Sequence, residues 1–128
     1  MSRGLADTSV FIASETGRSL HIADLPDEIA ISIITVGELR AGVLAASDVE
    51  TRDRRLSTLV RALDLTPLPV DEPVADAWAR LRVTLRDRGM KMPVNDSWIA
   101  ATAMAHELPV VTQDADYVEL PGLRVIRV

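Results

Sequence analysis

The chain has no cysteine and few histidine or aromatic residues. Without cysteine, disulfide bonds and thiolate metal sites are excluded, and a reducing compartment is compatible with the sequence. The two histidines, His21 and His106, lie in unrelated segments with no motif around either, so we expect structural or solvated roles for both. Aromatic residues make up only 3% of the chain. Trp78 and Trp98 fall on apolar faces, which predicts core packing rather than base stacking.

Long hydrophobic runs are also absent. No apolar segment approaches the roughly 20 residues that a membrane helix needs, and the amino terminus lacks the pattern of a secretory signal. We therefore expect a cytoplasmic protein without membrane association. The chain has no glycine-rich phosphate loop either, which excludes the common nucleotide-cradling folds.

Basic residues are outnumbered by acidic ones. The chain has 14 Lys and Arg against 19 Asp and Glu, a formal net charge of −5, and Lys91 is its only lysine. This balance at first disfavours nucleic acid as a partner. Two divalent cations bound among the acids would bring the charge to −1, so charge alone does not exclude nucleic acid. Arginines of residues 49–63 and 73–88 are candidates to contact a phosphate backbone.

Composition and patterning predict a single α/β domain over residues 1–128. A hydrophobic content of 48% with 26% charged residues is ordinary for a globular protein, and the chain is long enough to bury a core. Short apolar strands alternate with helices, which predicts a parallel sheet with helices on both faces. The predicted strands are a first one ending at Asp7, then 29–33, a short or edge strand at 65–70, 109–112 and 123–128.

Helical patterns cover the segments between these strands. Thr35 is expected to cap the second helix, with Glu38 completing a Thr-x-x-Glu capping box. Asn95 or Asp96 is expected to cap the last helix. The predicted helices are 10–20, broken near Gly17, then 35–47, 49–63, 73–88 and 97–108, while 21–28 is a short helix or a loop.

Five acidic residues occupy four positions that could serve chemistry. Asp7 ends the first strand, at the edge where open α/β sheets bind ligands, although Asp there also caps helices. Asp114 and Asp116 directly follow another strand, where either could simply be solvated. Glu38 lies among small and apolar neighbours, so a buried carboxylate there needs a cation or a proton. Asp96 begins a helix that is apolar on almost every side.

Each position alone has an ordinary explanation, but all four are expected to meet at one edge of the sheet. A carboxylate cluster without cysteine or suitably placed histidine favours hard cations such as Mg²⁺ or Mn²⁺. These cations polarise phosphate oxygens and activate water, which predicts phosphodiester hydrolysis. Thr112 is a candidate to hydrogen-bond one of the ligand carboxylates. The predicted catalytic residues are Asp7, Glu38, Asp96, Asp114 and Asp116.

Four short motifs resemble, in order, those of PIN-domain ribonucleases, in particular the VapC toxins of bacterial toxin–antitoxin pairs. The motifs are DTSVFI at residues 7–12, TxxELxxG at 35–42, NDxxIAATA at 95–103 and TxDxDY at 112–117. Together they extend over nearly the whole chain. Tyr117 stands where the family often has Phe.

This resemblance implies a three-layer α/β/α fold with a short central parallel sheet. It implies that Asp7, Glu38, Asp96 and Asp114 bind Mg²⁺ or Mn²⁺, with Asp116 as a variable extra acid. It further implies metal-dependent RNA endonuclease activity, homodimerisation, and inhibition by a small antitoxin that binds across the active site. The alternative function is a PIN-like module that binds RNA or a protein partner without cutting.

Overall fold

Four short parallel strands form the centre of the computed structural model, which describes residues 2–128. The strands pair in the order β2-β1-β3-β4, and all three pairings are parallel. The predicted parallel sheet is therefore confirmed. The strands are β1 (Arg3–Ala6), β2 (Glu28–Ala30), β3 (Val110–Thr112) and β4 (Val125–Arg127).

Five α-helices connect and cover these strands. The third has the predicted bounds. The fourth begins one residue before the predicted start at 73, where the Asp71 side chain caps it by accepting a hydrogen bond from the Val74 amide at 3.2 Å. A short 3₁₀ turn at Ile22–Asp24 lies within the segment that was predicted as a short helix or a loop. The helices are α1 (Thr8–Thr16), α2 (Ile33–Ala45), α3 (Val49–Leu63), α4 (Glu72–Asp87) and α5 (Val94–Ala105).

Side chains alternate between the two faces of the sheet, and each face is covered by helices. Leu5 and Val110 contribute to a core cluster that includes residues of α4 and α5. Their neighbours Ala6 and Val111 contribute to a second cluster that includes Val10 of α1. Because successive strand residues point to opposite faces of the sheet, both faces carry apolar side chains that helices cover, which gives the three-layer α/β/α arrangement. Among residues 2–128, none of the helices combines the length and apolarity needed to cross a membrane.

The central strands approach each other closely at Gly4. A Cβ at this position would lie 2.7 Å from Cγ2 of Val111 on β3, which is shorter than real carbon–carbon contacts. Glycine is therefore required here by packing rather than by an unusual backbone angle. β1 pairs directly with β3, and the carboxyl ends of these two strands carry the acids described below.

Two predicted helix caps are wrong. The second helix begins at Ile33, and its cap is Ser32, whose hydroxyl accepts a hydrogen bond from the Ile34 amide at 3.0 Å. Thr35 is instead fully buried in the first turn. The last helix begins at Val94 after Pro93, with no side-chain cap, so neither Asn95 nor Asp96 is a cap. The Glu38 and Asp96 carboxylates are therefore not used for capping.

Several predicted element bounds are also corrected. The first helix starts two residues earlier than expected and stops at Thr16, because Gly17 adopts a φ of 75°. The predicted strand at 29–33 is shortened at its end by the early start of α2. The predicted strand at 65–70 forms only an isolated bridge between Ser32 and Leu68, since two prolines limit its pairing.

Candidate active site

The carboxyl ends of β1 and β3 bring two acidic segments to the same edge of the sheet. These strands are parallel neighbours with Ala6 opposite Val111, so Asp7 and the turn after Thr112 emerge side by side. The first turn of α5 adds Asp96, and α2 adds Glu38. All four predicted positions thus converge, as the motifs implied.

The tightest group consists of Asp96, Asp114 and Asp116. Each offers a carboxylate oxygen, and these oxygens lie within 4.8 Å of one another. The Asp116 amide donates a hydrogen bond to Oδ1 of Asp114 at 2.8 Å, which holds the two acids in one turn. Asp96 and Asp114 are partly buried, whereas Asp116 is exposed. Asp116, which the resemblance implies as a variable extra acid, thus belongs to the tightest group.

Asp7 is the buried member of the cluster, with 2% of its surface exposed. The Ser9 hydroxyl donates a hydrogen bond to Oδ1 of Asp7 at 2.6 Å and accepts one from the Gln113 amide at 3.0 Å. Asp7 occupies the N-cap position of α1, but its side chain makes no capping hydrogen bond. Apart from a weak contact with the Ser9 amide, this carboxylate is therefore not engaged in capping.

Burial dominates the electrostatics of Asp7. The pKa of its carboxyl is raised from 3.8 to about 6, chiefly by desolvation. The Ser9 and Thr112 hydroxyls lower the pKa and so oppose this rise, whereas the charge of Asp114 adds to it. The Ser9 backbone amide contributes only the weakest of these effects. The Thr112 hydroxyl lies 3.3 Å from the Ser9 hydroxyl and lowers the pKa of Asp7, which agrees with the role expected for Thr112.

Asp96 is half-buried and surrounded by other carboxylates. Desolvation, followed by the charges of Asp114 and Asp7, raises its pKa from 3.8 to about 6, and Glu38 adds a smaller effect in the same direction. These couplings show that Glu38 and Asp7 share the electrostatic environment of the tightest group. Such a cluster is stabilised either by protons or by a cation.

Thr8 holds Glu38 at the edge of the cluster. The Thr8 hydroxyl donates a hydrogen bond to Oε1 of Glu38 at 2.6 Å, and it lies 3.1 Å from the Thr35 hydroxyl. On the other side, Nδ2 of Asn95 reaches Oε2 of Glu38 only at 3.5 Å. Oε2 is therefore the less engaged oxygen of this carboxylate.

Tyr117 supplies a buried hydroxyl beside the acids. Its side chain is fully buried, and its hydroxyl makes no hydrogen bond of regular geometry within residues 2–128. It is nevertheless close enough to Asp96 to lower the pKa of that carboxyl. Burial, and then the charges of Asp7 and Asp96, raise the pKa of Tyr117 far above its ordinary value of 10. Tyr117 is therefore a neutral donor directed toward the cluster.

The donor set fits a hard divalent cation. The cluster offers carboxylate oxygens, while His21 and His106 are exposed and lie on other segments. Oxygen ligands of this kind suit Mg²⁺ or Mn²⁺ better than softer transition metals. Burial and mutual repulsion raise the pKa values of Asp7 and Asp96, and a bound cation would relieve that repulsion.

Sequence reasoning missed four residues that support the cluster: Thr8, Ser9, Asn95 and Tyr117. Two of them could have been found, because Thr8 and Ser9 directly follow Asp7 and their hydroxyls are well placed to reach acids at the strand end. Asn95 and Tyr117 gave no such signal, since their contacts with Glu38 and Asp96 depend on how distant segments pack.

The fold and the site correspond to a known class of protein. Residues 5–123 match the model of the PIN domain, so the chain belongs to the PIN-domain family. Among curated proteins it is similar to Ribonuclease VapC5 of Mycobacterium tuberculosis, with 48% identity over 128 residues that cover 98% of this chain and 95% of that protein. It is similar to Ribonuclease VapC4 of the same organism, with 48% identity over 126 residues, 98% of this chain and 97% of that protein.

A solved structure gives the same relationship. The chain superposes on a structure of VapBC-5, a member of the VapBC family of toxin–antitoxin systems from Mycobacterium tuberculosis, with a TM-score of 0.92. The sequence identity is 44%, and the match covers 100% of both chains. The three-layer PIN fold expected from the motifs is confirmed.

Proposed function

We propose that the protein is a metal-dependent RNA endonuclease, the ribonuclease toxin of a toxin–antitoxin pair. The observation that carries this proposal is the convergence of four acidic positions, distant in sequence, at one edge of the sheet. Relatives that match nearly the full chain are named ribonucleases. A binding module has no need for a cluster in which carboxylates raise each other's pKa.

The cation would be held by Asp7, Asp96 and Asp114, with Asp116 completing the set or serving a second ion. Glu38 would either add a further carboxylate to the cation or orient the attacking water. Mg²⁺ or Mn²⁺ bound there supplies Lewis-acid polarisation of the scissile phosphate and lowers the pKa of water. Ser9 and Thr112 would keep Asp7 ionised and oriented. Tyr117 would favour the ionised form of Asp96.

Glu38 is the residue best placed to orient the attacking water. Thr8 fixes Oε1, which leaves Oε2 to accept a hydrogen bond from water. The water oxygen then attacks phosphorus in line, and the bond between phosphorus and the 3′ oxygen breaks. The water proton passes through the solvent to the leaving 3′ oxygen, which gives a 5′-phosphate and a 3′-hydroxyl.

End-group analysis of a purified cleavage product tests this proposal. We expect cleavage of single-stranded RNA in Mg²⁺ or Mn²⁺, complete loss in excess EDTA, and recovery when the metal is restored. The products should carry 5′-phosphate and 3′-hydroxyl ends. A 2′,3′-cyclic phosphate, or cleavage unchanged in EDTA, would contradict the metal-dependent mechanism. RNA binding without cleavage under any metal condition would favour the non-catalytic alternative.

We also propose a small antitoxin partner and a homodimer of single-domain chains. The similar solved structure belongs to a toxin–antitoxin system, and exposed apolar residues on α3 offer surface for a partner chain: Leu56, Val60 and Leu63. Light scattering should give twice the monomer mass. Co-expression with the product of the adjacent small reading frame should yield a complex without nuclease activity. We further propose that the protein acts in the cytoplasm.

A further inference from the structure

Positive charge is concentrated at the end of α4. Residues 80–91 contain five cations and one acid, a net charge of +4 in a chain whose total is −5. The remaining residues therefore carry −9. The positive excess of residues 80–91 is larger than that of residues 52–61, which contain four arginines and one acid, so this segment is the stronger attractor of phosphate groups. The cations are Arg80, Arg82, Arg86, Arg88 and Lys91.

Three of these cations line one cavity. Arg82, Arg86 and Lys91, with the apolar side chains of Leu85, Met90 and Met92, enclose about 290 Å³, and no acid is among the lining residues. We call this the basic cavity. Arg86 forms an ion pair with Asp87 at 3.2 Å, but both side chains are largely exposed, so the pair neutralises little of its charge. Lys91 makes no ion pair within residues 2–128.

Arg82 is held in place by an aromatic stack. Its guanidinium lies 5.4 Å from the ring centroid of Trp78, and Trp78 stacks on Trp98 with centroids 4.4 Å apart. Nε1 of Trp78 donates a hydrogen bond to the Ser97 hydroxyl at 3.0 Å, which ties the stack to the first turn of α5. Part of the entropy that this arginine would lose on binding is therefore already lost in the free protein.

The basic cavity lies at the same end of the molecule as the acidic cluster. Residues 88–93 connect the end of α4 to the start of α5, and Asp96 is in the first turn of α5. Leu85 and Met92 from the cavity wall belong to the same core cluster as Tyr117, whose hydroxyl is directed at Asp96. Met92 of the cavity wall is four residues before Asp96, so the Cα atoms of these two residues lie at most about 14 Å apart.

The other cavity with two arginines is less suited to phosphate. It is lined by Arg54 and Arg55, but also by Glu15 and Glu38. Nη1 of Arg55 is already bound to the Gly42 carbonyl at 2.7 Å. Its two carboxylates would repel a phosphate, whereas the basic cavity contains no opposing charge.

We propose that the basic cavity binds backbone phosphates of a single-stranded RNA, next to the phosphate that lies on the acidic cluster. The inference rests on the proposed function in taking RNA as the ligand. Arg82, Arg86 and Lys91 are positioning residues that hold the strand by charge, and they take no part in bond breaking. Their contacts supply the attraction that the acidic surface lacks.

The test measures RNA binding by fluorescence anisotropy in Mg²⁺, with Asp96→Asn as the background so that the labelled single-stranded RNA stays intact. The test variant combines Arg82→Gln with Lys91→Gln. The matched control combines Arg80→Gln with Arg88→Gln, which removes the same charge from the same segment but outside the cavity. Thermal melting verifies that each protein is folded, and Lys91→Gln alone replaces the test variant if the loss of Arg82 destabilises the stack.

We expect the test variant to bind RNA about 10-fold more weakly, and the control to change less than twofold. The slope of log K against log salt should fall by about 0.7 for each phosphate contact removed. Lys91→Arg should retain affinity because it keeps the charge. With the catalytic Asp96 restored, the test variant should raise KM and leave kcat near its original value.

Equal weakening in the test variant and the control would overturn the inference, because it would indicate an effect of net charge alone. Tighter binding of duplex than of single-stranded RNA would also contradict it. Failure of the proposed function has a different signature. In that case the unmodified protein would not cut RNA, while the test variant alone would still weaken binding.

Discussion

Asp96 illustrates how one side chain can affect both the stability of the protein and the properties of the site. It is half-buried, its carboxylate oxygen lies within 4.8 Å of those of Asp114 and Asp116, and its pKa is raised to about 6. In the metal-free protein this carboxylate costs stability, because burial and like charges oppose its ionised form. In the proposed metal-bound protein, the same charge would bind the cation.

The substitution Asp96→Asn should therefore separate stability from activity. We expect the metal-free variant to melt at or above the temperature of the original protein, because a repelling charge is removed. Mg²⁺ should raise the melting temperature of the original protein, and it should raise that of the variant much less. The cleavage rate should fall more than about 100-fold. This is a larger loss than is usual when a residue that only hydrogen-bonds a metal ligand is removed.

The control for this experiment is Asp53→Asn, which removes the same charge from an exposed position on α3. It should leave both the Mg²⁺-dependent shift and the cleavage rate unchanged. An identical Mg²⁺ response in Asp96→Asn and the original protein would remove Asp96 from the metal site.

Thr8 offers a second test, because it acts on the site through Glu38. The substitution Thr8→Val keeps the shape of the side chain but removes the 2.6 Å hydrogen bond to Oε1 of Glu38. We expect kcat to fall about 10- to 100-fold, as is typical for residues that orient a catalytic group. KM and the metal-free melting temperature should change little. Unchanged kcat would show that Glu38 is held without Thr8.

The start of α2 illustrates how an element places functional residues. Ser32 caps the helix, so Thr35 and Glu38 fall in its first two turns and point toward Thr8. Sequence reasoning placed the cap three residues later, because Thr-x-x-Glu matches a capping box. Tertiary packing decided otherwise, since Ile31 is buried in the core and the segment 65–70 pairs with Ser32.

Replacing the cap provides a prediction for this element. Ser32→Ala removes the hydrogen bond to the Ile34 amide and should lower the free energy of unfolding by about 1 kcal/mol. Ser57→Ala, on the exposed surface of α3, is the control and should change it by less than about 0.5 kcal/mol. Chemical denaturation measures both. A loss at Ser57 as large as that at Ser32 would argue against the capping role.

The whole molecule combines a net charge of −5, an acidic cluster at the edge of the sheet and a basic segment at the end of α4. Two carboxyls in the site, Asp7 and Asp96, bind protons more tightly in the folded protein than in the unfolded chain, because their pKa values rise from 3.8 to about 6. The contribution of these two carboxyls to stability is fully present below pH 3.8 and is lost as the pH rises through about 6. Asp48 has a lowered pKa, so its contribution to stability is present above pH 3.8 and is lost only as the pH falls below that value.

Metal-free protein should therefore lose thermal stability between about pH 5 and pH 7.5. Mg²⁺ should restore it mainly at the higher pH, since the cation competes with protons for the same oxygens. Melting curves with and without Mg²⁺ at both pH values measure this, and Asp7→Asn should flatten the metal-free dependence. Rising metal-free stability over this interval would contradict the raised pKa values.

The sequence by itself determined the class of fold and the chemistry available to it. Alternating apolar strands and helices specified a parallel sheet covered on both faces, because hydrophobic periodicity is a local property of the chain. The acids after β1 and β3 were found in the same way, since strand ends are recognisable and parallel strands end at one edge. The absence of cysteine narrowed the metal sites that the chain could form.

Only the tertiary structure decided which side chains touch. It placed Asp116 within the tightest group and directed Tyr117 at Asp96. It also gathered Arg82, Arg86 and Lys91 around one cavity and left Arg80 outside it. These outcomes depend on the packing of segments far apart in the chain. Local sequence patterns do not encode them, because a contact between distant residues is fixed by the whole core rather than by either residue's neighbours.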